Sequence, residues 1–384
     1  MRFAFASAGR VVFGCGSLAE AGPAAAALGR RALVVTGRDT TRAAPLIAAL
    51  AERGIEAGIF AVPAEPTVAL ASAGALAARG GGAEVVLGLG GGSALDAAKA
   101  IAALAANDGD PLRYLEVVGE GRPLERSPLP VIAIPTTAGT GSEVTRNAVL
   151  AVPERGVKVS LRHEAMLPRV AIVDPELAAG LPPAVTASTG LDALTQLVEP
   201  FVSVAANPLT DALAREAIPR VPGALRRAVA DGSDLAAREG LALAALFGGL
   251  ALANARLGAV HGLAAPLGGI VPAPHGVVCA RLLPEIVALN ARALAERDPR
   301  SPARARYDEI ARLLTGDPAA AVEDAVEFLR ALVEDLAVPR LATFGLARDA
   351  FGALIARAQR ASSMKGNPVP LTDGELAEAL ERAL

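Results

Sequence analysis

At Pro182 and Pro183 the chain changes character. Ahead of that pair, short β-branched runs alternate with alanine-rich segments of helical period. RALVVTG (31–37), IEAGIFAV (55–62), AEVVLGLG (83–90), LPVIAIPTT (129–137) and VAIVDP (170–175) read as strands. Helices are expected up to about Glu52, from Thr67 to Arg79 and from Ala94 to Ala105. Strand–helix–strand alternation predicts a parallel α/β sheet. From about Val185 onward nearly every segment is long, rich in alanine and leucine, and spaced like an amphipathic helix. The expectation is α/β plus all-α: an α/β domain over 1–182 and a helical domain over 183–384.

The bulk numbers agree with two domains. At about 100–200 residues per domain, 384 residues supply two or three. Apolar residues make up 52% and charged residues 20%, enough for a large core. A net charge of -3 gives no electrostatic footprint for nucleic acid or an anionic membrane. The start, MRFAFASAGRVVFGCGS, lacks the apolar stretch of a signal peptide. No uninterrupted apolar run reaches the ~18 residues of a membrane span, so no transmembrane helix is expected. Cys15 and Cys279 match no zinc or redox spacing. The expected setting is the cytoplasm, with no nucleic-acid or membrane partner.

Two loops draw attention. GLGGGSALDAAKA (88–100) follows a strand and opens a helix. Gly91 and Gly92 let backbone amides approach an anion, and the helix N-terminus adds partial positive charge. That suits a pyrophosphate, with Ser93 beside it. The loop is neither GxGxxG nor a Walker loop, and an ordinary glycine-rich turn has the same look. Asp96 and Lys99 follow on the new helix. Lysine occurs only at 99, 158 and 365 among 37 basic residues, so each lysine is a candidate for a place that needs a compact ammonium. Lys99 reads equally as a solvated residue paired with Asp96. The second loop, IPTTAGTGSEVT (134–145), offers Thr136, Thr137, Thr140 and Ser142. It reads either as a wrap for phosphate, ribose or nicotinamide amide, or as a serine/threonine turn. Two such loops after parallel strands reinforce each other, because open α/β sheets bind ligands beyond their C-terminal strand ends.

The second half holds a polar pair and a histidine pair. In STGLDALTQLVEP, Asp192 and Gln196 lie four apart and share a helix face. In GAVHGLAAPLGGIVPAPHGVV (258–278), His261 and His275 are two of only three histidines, each followed by glycine. The glycines and prolines between them allow the chain to fold back and bring both imidazoles together. With Asp192 they make three metal ligands, and with Gln196 four. The competing reading is a satisfied structural histidine on each helix and a polar stripe on the first. His163 reads as structural, and Arg256 as a surface or interface residue.

GGGSALDAAKAIA, IPTTAGTGSEVT, KVSLRHEAMLP with VAIVDP, TGLDALTQLVEPFVS and GAVHGLAAPLGG…PHGVV occur in an order that resembles the iron-containing (group III) alcohol dehydrogenases. The resemblance runs from FGCGSL (13–18) to SSMKGNP (362–368). It implies a dehydroquinate-synthase-like fold, with an N-terminal α/β nucleotide-binding domain and a C-terminal helical domain. It implies interconversion of an alcohol and an aldehyde or ketone by hydride transfer, with NAD or NADP and with Fe(II) or Zn(II). It makes Asp192, Gln196, His261 and His275 the metal positions, and Asp192, His261 and His275 the residues that carry catalysis through the ion. Gly91, Gly92 and Ser93 become the pyrophosphate cradle, with Asp96 and Lys99 in the same signature. Thr136, Thr137, Thr140 and Ser142 become the second cofactor loop, and Lys158 a contact of the nicotinamide ribose. Family members are often dimers, so a homodimer is expected.

The sequence departs from the family pattern in two places. The usual ligand at 196 is histidine, and glutamine offers only a neutral carbonyl oxygen. Many members carry a second histidine four residues after the one matching His261; here it is Ala265, which leaves the proton to water or the cofactor ribose. After the strand VVT, Gly37 and Arg38 stand where NAD-preferring relatives tend to have an acid, with Asp39 next. Gly37 with Arg38 favours accepting a 2′-phosphate. The rival readings are a dehydroquinate-synthase-like lyase, a metal-independent reductase of the maleylacetate type, and a nucleotide-binding protein without turnover.

Overall fold

The computed structural model describes residues 2–384. It comprises two compact units, one made of Ser7–Thr137 with Gly141–Ala178, the other of Ala179–Leu384 with Ala138–Thr140 and the N-terminal residues up to Ala6.

The first unit is built on strands β1 (Arg10–Phe13), β2 (Arg31–Gly37), β3 (Glu56–Val62), β4 (Val85–Gly90), β5 (Val131–Pro135), β6 (Asn147–Val152), β7 (Val157–Arg162) and β8 (Val170–Val173). Its helices are α1 (Ala21–Ala26), α2 (Ala44–Ala51), α3 (Val68–Gly80) and α4 (Gly92–Ala106). Six strands form a parallel sheet in the order β1-β8-β5-β4-β2-β3. β4 and β5 are buried along their whole length, which is why they read as unbroken apolar runs. β2, β4 and β5 are neighbours, in a register that sets Thr36 beside Leu89 and Gly90 beside Pro135. The turns after three adjacent strands therefore emerge together. Helix α4 lies close over β4: a Cβ on Gly88 would stand 2.9 Å from the Ala98 methyl.

Two features differ from the sequence expectation. β1 is a four-residue edge strand with no buried residue, too short and too exposed to show a pattern. β6 and β7 form a separate antiparallel hairpin. Its signal is the alternation of buried Ala148, Leu150 and Val152 with half-buried neighbours.

The second unit is helical: α5 (Pro183–Val202), α6 (Pro208–Ala217), α7 (Val221–Ala230), α8 (Leu235–Ala255), α9 (Ala259–Leu267), α10 (His275–Arg297), α11 (Pro302–Thr315), α12 (Val322–Asp335), α13 (Phe351–Ala358) and α14 (Asp373–Ala383). α5 is its central element, with sixteen of its twenty residues buried. It packs on α8 and α10. By length and composition α8 could cross a membrane, although Arg238 and Glu239 interrupt its apolar run. Its place is the core. It buries Leu241, Ala244 and Ala245, and its buried Arg238 donates to Thr186 Oγ1 and the Gly232 carbonyl.

Candidate active site

Asp192, Gln196 and Glu199 fall on α5 at spacings of four and three, so one helix face carries all three. Each is at least nine-tenths buried. A Cβ on Gly248 of α8 would stand 3.2 Å from the Gln196 Cβ, so glycine there lets α8 close over this polar face.

His261 enters from the first turn of α9. Glu199 fixes that turn with both carboxylate oxygens: Oε1 accepts from the Val260 amide at 2.7 Å, and Oε2 lies 2.6 Å from His261 Nδ1. Asn367 Oδ1 accepts from the Ala259 amide at 3.1 Å. Asn367 is itself tied to buried Asn290, so the amides that open α9 have built-in acceptors. With Nδ1 occupied by Glu199, Nε2 is the nitrogen presented to Asp192.

His275 is the first residue of α10. The glycine after it has a steric reason: a Cβ on Gly276 would stand 2.2 Å from the Ser188 carbonyl oxygen of α5. Only glycine lets the start of α10 approach α5 so closely. The two imidazoles come together, with ring centroids 5.4 Å apart. His261 Nε2 is 3.3 Å and His275 Nε2 is 3.9 Å from Asp192 Oδ1.

Asp192 Oδ1 and Gln196 Oε1 are buried and accept no hydrogen bond. At 3.3 Å, His261 Nε2 is near enough to Asp192 Oδ1 to bond but makes no aligned hydrogen bond to it. Burial works against charge on His261, yet Cys279 and Glu199 outweigh it and hold its pKa well above the ordinary value. Two imidazoles in so negative an environment make a place that attracts a cation. Unsatisfied buried oxygens and converging imidazole nitrogens fit a divalent ion.

Sequence reasoning passed over two residues here. Glu199 was legible as the third polar position on the Asp192 face. Cys279, fully buried one turn into α10, has Sγ 3.6 Å from His275 Nε2 and 3.8 Å from His261 Nε2. Donor atoms of Asp192, His261, His275 and Cys279 all lie within 4.8 Å of one another.

In the α/β unit, no side chain caps α4 at Gly91. A Cβ on Gly90 would stand 2.6 Å from the Ala94 Cβ, and one on Gly91 3.3 Å from Thr137 Oγ1 and Cγ2. Glycine at 90 and 91 thus keeps the turn into α4 free of side chains at those two positions. Beside Gly90, the Thr136 amide donates to the Gly90 carbonyl at 2.9 Å, holding the second loop against the first. A Cβ on Gly37 would meet nothing within 4 Å. Arg38 Nε donates to the Pro63 carbonyl at 3.3 Å. Asp39 is engaged locally, accepting from the Thr41 amide and hydroxyl.

Asp96 and Lys99 form a buried lock. Asp96 accepts from Ser142 Oγ at 2.5 Å and the Val149 amide at 2.9 Å. Lys99, 1% exposed, lies 3.2 Å from Asp96 and donates to the Ser142 carbonyl, Thr145 Oγ1 and the Asn147 carbonyl. The solvated reading of Lys99 is therefore wrong, though its pairing with Asp96 holds: its acceptors span the second loop and the start of β6, a job for a compact, rotatable ammonium. Thr140 belongs with the helical unit, next to Gly139, where a Cβ would stand 2.8 Å from the Thr189 Cβ. Lys158, on β7, pairs with Glu65 at 2.6 Å. His163 caps a short turn, its Nδ1 accepting from the Ala165 amide. Arg256 is exposed just beyond α8, with φ at 63°. Ala265 is exposed on α9.

A parallel sheet with a glycine-rich turn into α4, joined in one chain to a helical unit that gathers a buried carboxylate and two imidazoles, fits a metal-dependent, nucleotide-linked oxidoreductase. Residues 8–175 match the family model for iron-containing alcohol dehydrogenase, and residues 186–384 that for the C-terminal part of the Fe-containing alcohol dehydrogenase family. The chain belongs to the iron-containing alcohol dehydrogenase family. It is 37% identical over 365 residues to a choline dehydrogenase of Bacillus subtilis, covering 94% of this chain and 90% of that one. A crystal structure of a 1,3-propanediol oxidoreductase superposes with a TM-score of 0.92 at 34% identity, covering all of both chains. A sulfoacetaldehyde reductase from Bifidobacterium kashiwanohense, solved in complex with NAD+, gives 0.87 at 30% identity, covering 99% of this chain and 98% of that one. The fold is dehydroquinate-synthase-like. The protein is an NAD-linked, metal-dependent enzyme that interconverts a small alcohol and its aldehyde or ketone by hydride transfer.

Proposed function

We propose that Asp192, His261 and His275 hold one divalent cation, with the Gln196 carbonyl oxygen beside them, and that the chain oxidises a small primary alcohol or reduces the matching aldehyde. The observation that supports this most is the buried, unbonded Asp192 Oδ1 at 3.3 and 3.9 Å from two imidazole nitrogens. An unsatisfied buried carboxylate oxygen costs about 1–3 kcal/mol or more, and a cation relieves it. Mixed oxygen and nitrogen donors suit Fe(II) or Zn(II). When bound, the ion supplies Lewis-acid polarisation of the substrate oxygen, and the nicotinamide accepts or donates the hydride.

The chain's own residues orient these groups. Glu199 holds the Nδ1 proton of His261, so that the Nε2 lone pair is free to bind. Gly91, Gly92 and Ser93 receive the pyrophosphate on the first turn of α4. Thr136, Thr137 and Thr140 line the cofactor with their hydroxyls. Asp96, Lys99 and Ser142 hold that loop in place from behind. Lys158, paired with Glu65 here, is assigned as the contact of the nicotinamide ribose. Position 265 offers no imidazole, so the alcohol proton passes to water.

NAD is the cofactor, and Gly37 with Arg38 also admits the 2′-phosphate of NADP. The enzyme works in the cytoplasm as a homodimer. That part of the reading is supported by two cysteines that form no disulfide and by family habit, and sedimentation tests the dimer. The reading as a whole is tested by NADH oxidation with small aldehydes. Activity abolished by a chelator and restored by Fe(II) or Zn(II) supports it, and turnover indifferent to chelation contradicts it.

A further inference from the structure

We propose that Cys279 supplies a sulfur donor to the same ion, taking the fourth protein position that Gln196 fills poorly. The inference rests on the metal reading of Asp192, His261 and His275. Its ground is the spacing of the donor atoms. Metal–nitrogen and metal–oxygen bonds of about 2.0–2.1 Å and a metal–sulfur bond of about 2.3 Å, at tetrahedral angles, separate the donors by about 3.3–3.6 Å. The observed separations are 3.3 Å from Asp192 Oδ1 to His261 Nε2, 3.9 Å to His275 Nε2, and 3.8 and 3.6 Å from Cys279 Sγ to the two Nε2 atoms. Four of the six separations among these donors thus come near those of one tetrahedral site, and all the donor atoms lie within 4.8 Å of one another. Two independent features point into it: Asp192 Oδ1 is buried without a hydrogen bond, and Nε2 of His261 is freed toward the centre by Glu199 on Nδ1.

Placement on α10 explains how sulfur arrives. His275 and Cys279 are four apart on one helix, so both side chains project from the same face toward α5. Cys279 is fully buried, and the two imidazoles are its polar company. Coordination replaces the S–H bond with a sulfur–metal bond and releases the proton to solvent. Carboxylate and thiolate together balance a divalent charge, which the neutral glutamine amide does not. A thiolate also shifts selection toward Zn(II) over the harder cations.

Cobalt(II) tests this without catalysis. Metal-free protein is titrated anaerobically with Co(II), and its near-ultraviolet absorption is recorded for the unaltered chain, Cys279→Ser, Cys279→Ala and Gln196→Ala. The expected result is one equivalent of Co(II) and an intense sulfur-to-cobalt charge-transfer band. Both Cys279 variants should lose the band and bind Co(II) about 10–100-fold more weakly, as perturbed metal sites do. Gln196→Ala should keep the band and change affinity by less than about threefold. Stoichiometric cobalt with visible ligand-field bands but no charge-transfer band in the unaltered chain overturns the sulfur donor and leaves the Asp–His–His reading standing. No cobalt bound by the unaltered chain overturns both. The unaltered protein alone decides between these outcomes, whether or not the variants fold.

Discussion

Glu199 Oε2 lies 2.6 Å from His261 Nδ1, and both groups are buried. One carboxylate therefore fixes the orientation of a proposed metal ligand and, through its other oxygen, the first turn of the helix that carries it. Glu199→Ala should lower metal affinity about 10–100-fold, the usual cost of losing such a partner. Glu199→Gln should lower it less, because the amide oxygen still accepts from Nδ1. Chelator competition measures both, and equal affinity in all three proteins would assign Glu199 a purely structural role.

Gly276 governs how near α10 comes to α5. A Cβ there would stand 2.2 Å from the Ser188 carbonyl oxygen, a backbone atom that has little room to yield. Gly276→Ala should cost about 1–3 kcal/mol of stability, as overpacking does. It should also displace His275 and weaken metal binding at least about tenfold. Urea unfolding of the metal-free protein and chelator competition separate the two effects.

Arg38 follows the open end of β2, where a Cβ on Gly37 would meet nothing within 4 Å. If it meets a 2′-phosphate, Arg38→Ala removes a charged hydrogen bond of about 1.5–3 kcal/mol. The dissociation constant for NADPH should rise roughly 10-fold or more, and that for NADH by less than about threefold. Equal losses for the two cofactors would remove Arg38 from phosphate recognition.

Glu143 is buried in the second loop, and burial pushes its carboxyl from the ordinary 4.5 up to about 7, against the pull of Lys99. Between those values the folded chain holds a proton that the unfolded chain has released. The stability due to this group therefore falls as pH rises from 4.5 to about 7 and is level above that. Glu143→Gln should flatten this slope and raise stability near pH ~8 by up to about 3 kcal/mol. Melting temperatures at about pH 5 and pH 8 report the difference; an unchanged slope would mean that Glu143 stays ionised in the fold.

Burial decided which parts of the fold were legible in the sequence. β2, β4 and β5 are enclosed on both faces, so they announce themselves as continuous apolar runs. β1 is short and exposed, and the β6–β7 hairpin carries its pattern in a weak alternation of small residues. At the site, helical spacing was enough to pair Asp192 with Gln196, and the glycine and proline turns were enough to suggest that His261 and His275 converge. Glu199 and Cys279 are different. Each meets His261 through tertiary packing, across 62 residues for Glu199 and 18 for Cys279, although Cys279 also lies one turn from His275 on α10. No local period encodes the meeting with His261.

The most direct measurement is anomalous diffraction from a crystal grown with Fe(II) or Zn(II). The expected result is a single metal peak within about 2.0–2.3 Å of ligand atoms from Asp192, His261 and His275. Side chains turned away from one another around a position with no anomalous density, under saturating metal, would contradict the account.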